Sequence, residues 1–216
     1  MDIRKHLLLS ISISLIAACP SISNAKDDAK PINAINFDVN YYDKNNSILI
    51  KPKNKDIAIS FAPIRGAIFG GANFKYAAIL LLKEDEFIEI PISDFTVFFK
   101  RHATTFIPKS EKLKVTPSTT KIIRLGTRVT HQGSDKGLGH TVFVNNANKQ
   151  SLMLVYFSNA CQITGTLVDN NLIYNHNISI PKKGAYWITA NQINDNTYTL
   201  KTSQEKLKLS FGIFPN

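Results

Sequence analysis

The sequence predicts an all-β protein built as an antiparallel β-sandwich, either immunoglobulin-like or jelly-roll-like. Apolar residues recur at alternate positions or in short runs along the chain, which is the pattern of β-strands. Clusters of Asn, Asp, Gly, Pro and Ser separate these runs about every eight to twelve residues, as in sandwiches. No long segment has the helical period, so we expect about a dozen strands and at most one short helix.

The first half of the chain contains one segment whose structure the pattern leaves open. Ser93 could cap a short helix that covers the aromatic cluster 95–99, but the Phe and Val of that segment also suit a strand. The run 74–82 is continuously apolar and predicts a strand buried on both faces. The other strands predicted here are 36–42, 47–51, 56–61 and 86–92.

The second half is more regular. The strands predicted at 140–144 and 151–157 flank a polar turn and form a hairpin, and Pro181 and Gly184 mark another turn. The remaining strands are predicted at 112–116, 120–125, 172–180, 185–189, 197–201 and 207–214.

The domain organisation is predicted as one β-sandwich region, 35–216, behind a polar leader, 26–34. Two packed β-domains are the alternative, with an internal boundary near 108–118. That stretch contains Pro108, Pro117 and a charged run, which are features of linkers.

The N-terminus has the features of a secretory signal peptide, residues 1–25. Arg4 and Lys5 precede the apolar run 7–18, which is too short for a bilayer span of roughly 20 residues. Cleavage after Ala25 would release a soluble chain. Alternatively, the motif ending at Cys19 resembles a bacterial lipobox, in which that cysteine is acylated. We therefore expect an exported protein, located in the periplasm, at the surface of a Gram-negative bacterium, or secreted.

The mature chain is predicted to be strongly basic and to lack a transmembrane segment. Beyond residue 25 it holds 24 Lys and Arg residues against 15 Asp and Glu. The lysines are scattered, with groups at 51–55, 100–101 and 109–114, which we expect at strand edges or in connections, where lysine blocks sheet-to-sheet aggregation. An anionic surface or a glycan is an alternative partner, and nucleic acid is not expected for an exported chain.

One glycine-rich loop carries the most conspicuous polar residues. His131 and His140 flank it and Asp135 lies within it. With Cys161 these residues could form the nucleophile and base of an exported hydrolase. However, the nine-residue separation of the histidines is not a usual metal-ligand spacing, and the surroundings of Cys161 favour a buried thiol. A hairpin connection and an inert cysteine are the simpler interpretation.

Other candidate groups have similarly simple explanations. The carboxylates of Glu84, Asp85, Glu86 and Glu89 read as a charged turn before a strand, with the last two facing solvent. The neighbouring aromatics Tyr186 and Trp187 could stack on a sugar but are expected to anchor the core. We assign no catalytic residue, metal ligand or cofactor from the sequence.

One segment resembles the opening strands of the immunoglobulin-like domain of periplasmic pilus chaperones. It comprises 127–130, a glycine-bearing loop, 141–146 and 152–157. The resemblance implies an assembly factor, chaperone-like or adhesin-like, and transfers no site residue.

The leading functional hypothesis is therefore an exported cell-envelope protein that acts by binding or assembly. Its partner would be a protein or cell-surface component that pairs with exposed sheet edges. The alternatives are the exported hydrolase and the pilus-chaperone-like or adhesin-like assembly factor.

Overall fold

The computed structural model of the chain describes residues 29–41, 57–66, 68, 78–81, 88–131, 133, 137, 140–145, 147–148, 150–203 and 209–214. The signal peptide, Cys19 and Ala25 therefore lie outside the described residues, as does the strand expected at 47–51. Within the described residues no helix is long and apolar enough to cross a membrane.

The described chain consists almost entirely of strands, with one short helical segment, which confirms the predicted all-β sandwich class. The helical segment is a 3-10 turn, Ile92–Phe95, followed by α1, Thr96–His102. The strands are β1 Ala34–Tyr41, β2 Ile57–Arg65, β3 Ala78–Leu81, β4 Ile88–Pro91, β5 Thr104–Thr105, β6 Leu113–Thr116, β7 Lys121–His131, β8 His140–Asn145, β9 Ser151–Phe157, β10 Cys161–Asp169, β11 Leu172–Ile180, β12 Gly184–Asn194, β13 Thr197–Thr202 and β14 Leu209–Phe214.

Ten strands form a continuous path in the order β4-β1-β14-β8-β9-β12-β13-β11-β10-β6. A side branch begins at β7, which pairs with β9 of this path and also with β2 and β5. Most neighbours are antiparallel, as predicted. Two pairs of neighbouring strands depart from this pattern, because β1 pairs with β14 and β11 pairs with β13 in parallel. Parallel pairing requires a crossover, and each pair is indeed separated by other strands in sequence.

Strand β9 is the branch point of the sheet. Along one edge, Ser151 and Leu152 pair with β8, whereas residues 155–157 pair with β7. Along the other edge, β12 pairs with β9 from Leu152 to Phe157. The two branches therefore diverge from one central pair of strands.

The central pair, β9 and β12, separates two hydrophobic cores. Leu154 and Trp187 face the first core, which also receives side chains from β1, β2, β4, β7, β8, β14 and the helical segment. Phe157 and Tyr186 face the second core, with side chains from β6, β10, β11 and β13. Alternate residues of an extended strand point to opposite faces, so the apolar runs 152–157 of β9 and 185–188 of β12 can serve both cores.

The helical segment settles the ambiguity at 93–99 in favour of a helix, but Ser93 does not cap it. The N-cap position is Pro91, and no side chain caps the segment. Phe95 and Phe99 are buried in the first core, and Phe99 stacks on Tyr156 with 4.6 Å between ring centroids. This packing holds the segment in place without a cap.

The basic pair at 100–101 was expected in a strand edge or connection and instead lies in the last turn of α1. Both side chains are exposed there. Cations in this position interact favourably with the carbonyl end of a helix. Lys112 and Lys114 do lie at a sheet edge, next to and within β6, and the group at 51–55 lies outside the described residues.

The segment 108–118 contains β6, which pairs with β10 and not with β7, the next strand in sequence. Gly165 of β10 makes this pairing possible. Its φ is +111°, and a Cβ at this position would lie 1.8 Å from the carbonyl oxygen of Lys112. Glycine is required here because the backbone of 112–113 crosses directly over it.

Candidate functional site

Cys161 is an inert thiol in the second core. It is buried and forms no disulfide. Burial raises the pKa of the Cys161 thiol to about 11, and a hydrogen bond with the Thr120 side chain opposes this only in part. The thiolate is the nucleophilic form, so almost none is present near neutral pH.

The structure does not bring Cys161 and His131 together. Cys161 lies beside Thr120, next to the first residue of β7, and His131 is the last residue of that strand. At about 3.3 Å per residue the two ends of β7 are about 33 Å apart. These two side chains are therefore too far apart to act as a nucleophile and its base.

His140 is the first residue of β8, and its backbone pairs with Phe214. The following residue, Thr141, donates a hydrogen bond to the carbonyl oxygen of Thr127, 2.7 Å away. That contact is about 20 Å along β7 from the end where Cys161 lies. Asp135 and the His140 side chain lie outside the described residues, so a site made by these two residues and His131 stays a prediction.

The described residues contain no group of three or more His, Cys, Asp or Glu side chains that could hold a metal ion. Of the four clustered carboxylates, Glu89 is exposed on β4, as predicted, and the other three lie outside the described part of the chain. Tyr186 and Trp187 are both buried, which confirms their role in the cores.

No sequence pattern indicated that two of the histidines would be buried and hydrogen-bonded. His102 ends α1, and its Nδ1 accepts a hydrogen bond from Nη2 of Arg65 at 2.6 Å. Burial, followed by the charges of Arg65 and Arg101, lowers the His102 pKa. An imidazole that accepts from a guanidinium is neutral, so this pair is structural. The residues are 37 apart in sequence, which is why no local pattern reveals the contact.

His176 of β11 lies at one wall of a small pocket over the second core. Its Nδ1 is 3.0 Å from the carbonyl oxygen of Tyr174. Burial lowers the His176 pKa, and hydrogen bonds to the carbonyls of Tyr174 and Gly165 oppose the shift. The pocket has room for about one water molecule, far less than a typical small-molecule site. Its lining residues are Ile68, Phe106, Ile107, Lys109, Leu113, Leu167, Asp169 and His176.

The pocket lies near the tips of two hairpins that end at the same edge of the molecule. β10 and β11 turn at Asn170–Asn171, where both residues have positive φ, and β12 and β13 turn at 195–196. Because β11 and β13 are parallel neighbours, Ile173 pairs with Thr197 and the two tips are adjacent.

Exposed apolar side chains concentrate at these tips. Of the five large apolar residues that the structure describes as exposed, three lie two residues from these turns: Val168 (63%), Ile173 (36%) and Ile193 (64%). A fourth, Ile107 (74%), lines the pocket. Val168 pairs directly with Ile173 across the β10–β11 hairpin. We call Val168, Ile173 and Ile193 the hairpin-tip surface. The fifth, Val97, lies on α1.

Tyr174 and Tyr198 form a stacked pair on the other face of the same hairpins, next to the second core, with 5.6 Å between ring centroids. Both rings are half-buried. Burial, Tyr198 and then Asp169 raise the Tyr174 pKa, so the phenol is a neutral hydrogen-bonding group. The hairpin tips thus combine exposed aliphatic side chains with phenol and carboxylate groups, as protein interfaces do.

Comparison with known proteins found no match among protein-family models, curated proteins or solved structures. The resemblance of 127–157 to pilus chaperones therefore has no support beyond the segment itself.

Proposed function

We propose that the protein is exported to the cell envelope and acts there by binding a partner protein, not by catalysis. The observation that carries the proposal is the hairpin-tip surface, because three exposed apolar side chains at two adjacent hairpin tips mark an interaction site. The inert state of Cys161 and its distance from His131 remove one pair on which a hydrolase would depend.

The hairpin tips are better suited to this role than the sheet edges. The two ends of the ten-strand path, β4 and β6, are each four residues long. β4 ends with Pro91, and β6 contains the exposed Lys114. Short edge strands with proline and lysine resist pairing with another chain, so side-chain docking at the tips is the favoured mode.

A comparative capture experiment tests the binding proposal. The chain from Lys26 onward is immobilised and exposed to envelope extract, and retained proteins are quantified by mass spectrometry. The double substitution Val168→Asp and Ile173→Asp should remove a partner that the wild type retains. Val97→Asp, which changes a more exposed apolar side chain away from the tips, should retain it. If no retained protein depends on the tips, the binding proposal fails.

The export proposal has a separate test in the intact mass of the protein purified from its source. A chain that begins at Lys26 indicates signal cleavage and a soluble product. A chain that begins at an acylated Cys19 indicates a lipoprotein. Either mass supports export, whereas a full-length N-terminus contradicts it.

A further inference from the structure

The leader and three strands of the sheet meet at the end of the molecule opposite the hairpin tips. Phe157, the last residue of β9, pairs with Ile122 of β7 and with Gly184, the first residue of β12. Pro31 of the leader packs against Gly184. Neighbouring strands lie about 4.8 Å apart, so the backbones of β7, β9 and β12 lie within about 10 Å of one another here. We call this meeting point the junction.

Four exposed lysines surround the junction, each one or two residues from a position that forms it: Lys30, Lys121, Lys182 and Lys183. We call these four residues the basic end. The segments 29–31, 116–121, 158–160 and 181–184 contain no Asp or Glu. None of the four lysines forms an ion pair with a described residue. The ammonium groups therefore present positive charge to solvent without a neighbouring carboxylate.

Hydrogen bonds fix the backbone from which these side chains project. The N–H of Lys121 donates to Oγ of Ser158 at 2.9 Å, and the N–H of Ser158 donates to the Lys121 carbonyl oxygen at 2.9 Å. The Tyr186 hydroxyl donates to the carbonyl oxygen of Lys182 at 2.8 Å. The charges of the basic end are thus carried by ordered turns that belong to different parts of the sequence.

Nearby charges do not cancel this excess. Residues 26–28, which precede the described part of the leader, comprise one Lys and two Asp, a net charge of −1. The helical segment leads into β5 beside β7, and it contributes Asp94, Lys100 and Arg101, a net charge of +1. These two contributions offset each other, so the formal charge around the junction stays at +4.

The hairpin tips carry the opposite charge. The segments 168–173 and 193–197 contain Asp169 and Asp195 and no Lys or Arg, and both carboxylates are exposed. Strand β12 runs from the junction at Gly184 to the tips at Asn194. Its length corresponds to about 33 Å at about 3.3 Å per residue. The molecule is therefore electrically polarised along β12.

A broad anionic surface matches the basic end better than a compact ligand does. Lysine ammonium groups are hydrated point charges on flexible stems and lack the rigid fork with which arginine grips a single anion. Each basic residue held close to an anionic bilayer strengthens binding about fivefold. The leader also enters the fold at this end, so the chain that connects it to the expected signal peptide or Cys19 departs from the same place.

We propose that the basic end lies against a membrane that contains anionic lipids, with the hairpin tips pointing away from it. The lysines donate hydrogen bonds to the phosphate oxygens of the headgroups, and the exposed carboxylates at the tips are repelled from the same surface. The inference rests on the proposed export to the cell envelope, which brings the chain to a membrane. It also orients the proposed partner surface, which is held about 33 Å from the basic end.

Sedimentation with lipid vesicles tests the membrane contact. The chain from Lys26 onward should sediment with vesicles of phosphatidylcholine that contain one third phosphatidylglycerol, and not with vesicles of phosphatidylcholine alone. Added sodium chloride should release it, because salt screens charges separated by more than a few ångströms. Failure to bind the anionic vesicles, or equal binding to both kinds, would overturn the proposal. So would retention on a soluble anionic polymer, dextran sulfate, without vesicle binding.

Two triple variants separate the basic end from the overall positive charge. Replacing Lys121, Lys182 and Lys183 with Gln should weaken binding to the anionic vesicles about a hundredfold, about fivefold for each lysine. The matched control removes three charges from exposed positions outside the junction, by replacing Lys109, Lys112 and Lys201 with Gln. It should weaken binding less than about fivefold. Equal losses in the two variants would mean that net charge alone is responsible, contrary to the proposal.

A second measurement reads the orientation on a chain that keeps all its lysines. An environment-sensitive dye is attached to Ser118→Cys at the junction or to Asn196→Cys at the tips, since the buried Cys161 reacts slowly. Anionic vesicles should shift the emission of the dye at 118 and leave that at 196 unchanged. A shift at 196 alone, or an equal shift at both, would refute the orientation.

These measurements fail separately from those of the proposed function. Val168→Asp with Ile173→Asp should keep full vesicle binding, because the tips do not touch the membrane. Vesicle binding through the basic end without any tip-dependent partner supports the membrane contact and contradicts the partner proposal. A captured partner without vesicle binding does the reverse.

Discussion

Among the described glycines, Gly165 leaves the least room for a side chain. Gly165→Ala should lower the free energy of unfolding by about 3 kcal/mol or more, because the new Cβ would collide with backbone and cannot be relieved by a rotamer change. Gly133→Ala is the control, since Gly133 also has a positive φ, +77°, but within the described part of the chain no atom beyond its sequence neighbours lies within 4 Å of its Cβ position. The control should lose only about 1–2 kcal/mol, from backbone strain. Urea unfolding measures both, and equal losses would contradict the collision.

Cys161 should react slowly in the folded protein. With a thiol pKa of about 11, the thiolate population at pH 8 is about a hundredfold below that of an ordinary cysteine. Alkylation by iodoacetamide should therefore be about a hundredfold slower in the native chain than in the same chain unfolded in urea. Comparable rates would show that the thiol is exposed or activated.

The buried histidines should make the protein less stable in mild acid. The pKa values of His176 and His102 are lowered in the folded state, so the unfolded chain binds protons more readily as the pH falls below about 6.5. Stability that is complete above this pH is then lost as the pH falls towards the folded pKa values.

The pH effect of His176 can be isolated with one substitution and one control. His176→Gln should flatten the decrease in unfolding free energy between pH 7 and pH 5, whereas His131→Gln, at an exposed position, should preserve it. Urea titrations at several pH values provide the measurement. An unchanged slope in His176→Gln would contradict the assignment.

At the scale of elements, the helical segment depends on its aromatic contacts. Phe99→Ala should cost about 3–5 kcal/mol, because it removes a fully buried ring and its stack on Tyr156. Phe98, which is only half-buried, provides the control, and Phe98→Ala should cost clearly less. Chemical unfolding of both variants tests this order, and a larger loss for Phe98→Ala would contradict it.

Several elements were predictable because their signal is local, and others were not. The strand at 172–180 alternates and is bounded by turn residues, so its observed limits agree with the pattern. Strand β10 was not predicted, because Gly165 and several threonines interrupt its apolar alternation. Ser93 was a wrong cap because tertiary packing of Phe95 and Phe99 determines where the helix forms.

The candidate sites were less predictable because their contacts join residues that are far apart in sequence. His102 and Arg65, for example, meet across 37 residues of sequence. Composition identifies such residues but does not indicate which of them will be neighbours. The hairpin-tip surface likewise becomes visible only when the parallel pairing of β11 and β13 brings two hairpins together.

At the scale of the whole molecule, the two cores should unfold together. β9 and β12 contribute alternate side chains to both cores, so neither core can lose its packing without exposing the other. Calorimetry should therefore give one transition whose van't Hoff and calorimetric enthalpies agree. Two resolved transitions would instead support separate domains with a boundary near 108–118.

The parallel pairing of β1 with β14 has a consequence for the order in which the chain folds. Of the described strands, β1 is synthesised first and β14 last, so one hydrogen-bonding edge of β1 has to wait for the twelve strands between them. During that interval β1 is an open template for another strand. A nascent or truncated chain should consequently be prone to aggregation, and a holding chaperone would be most useful just before the C-terminal strand emerges.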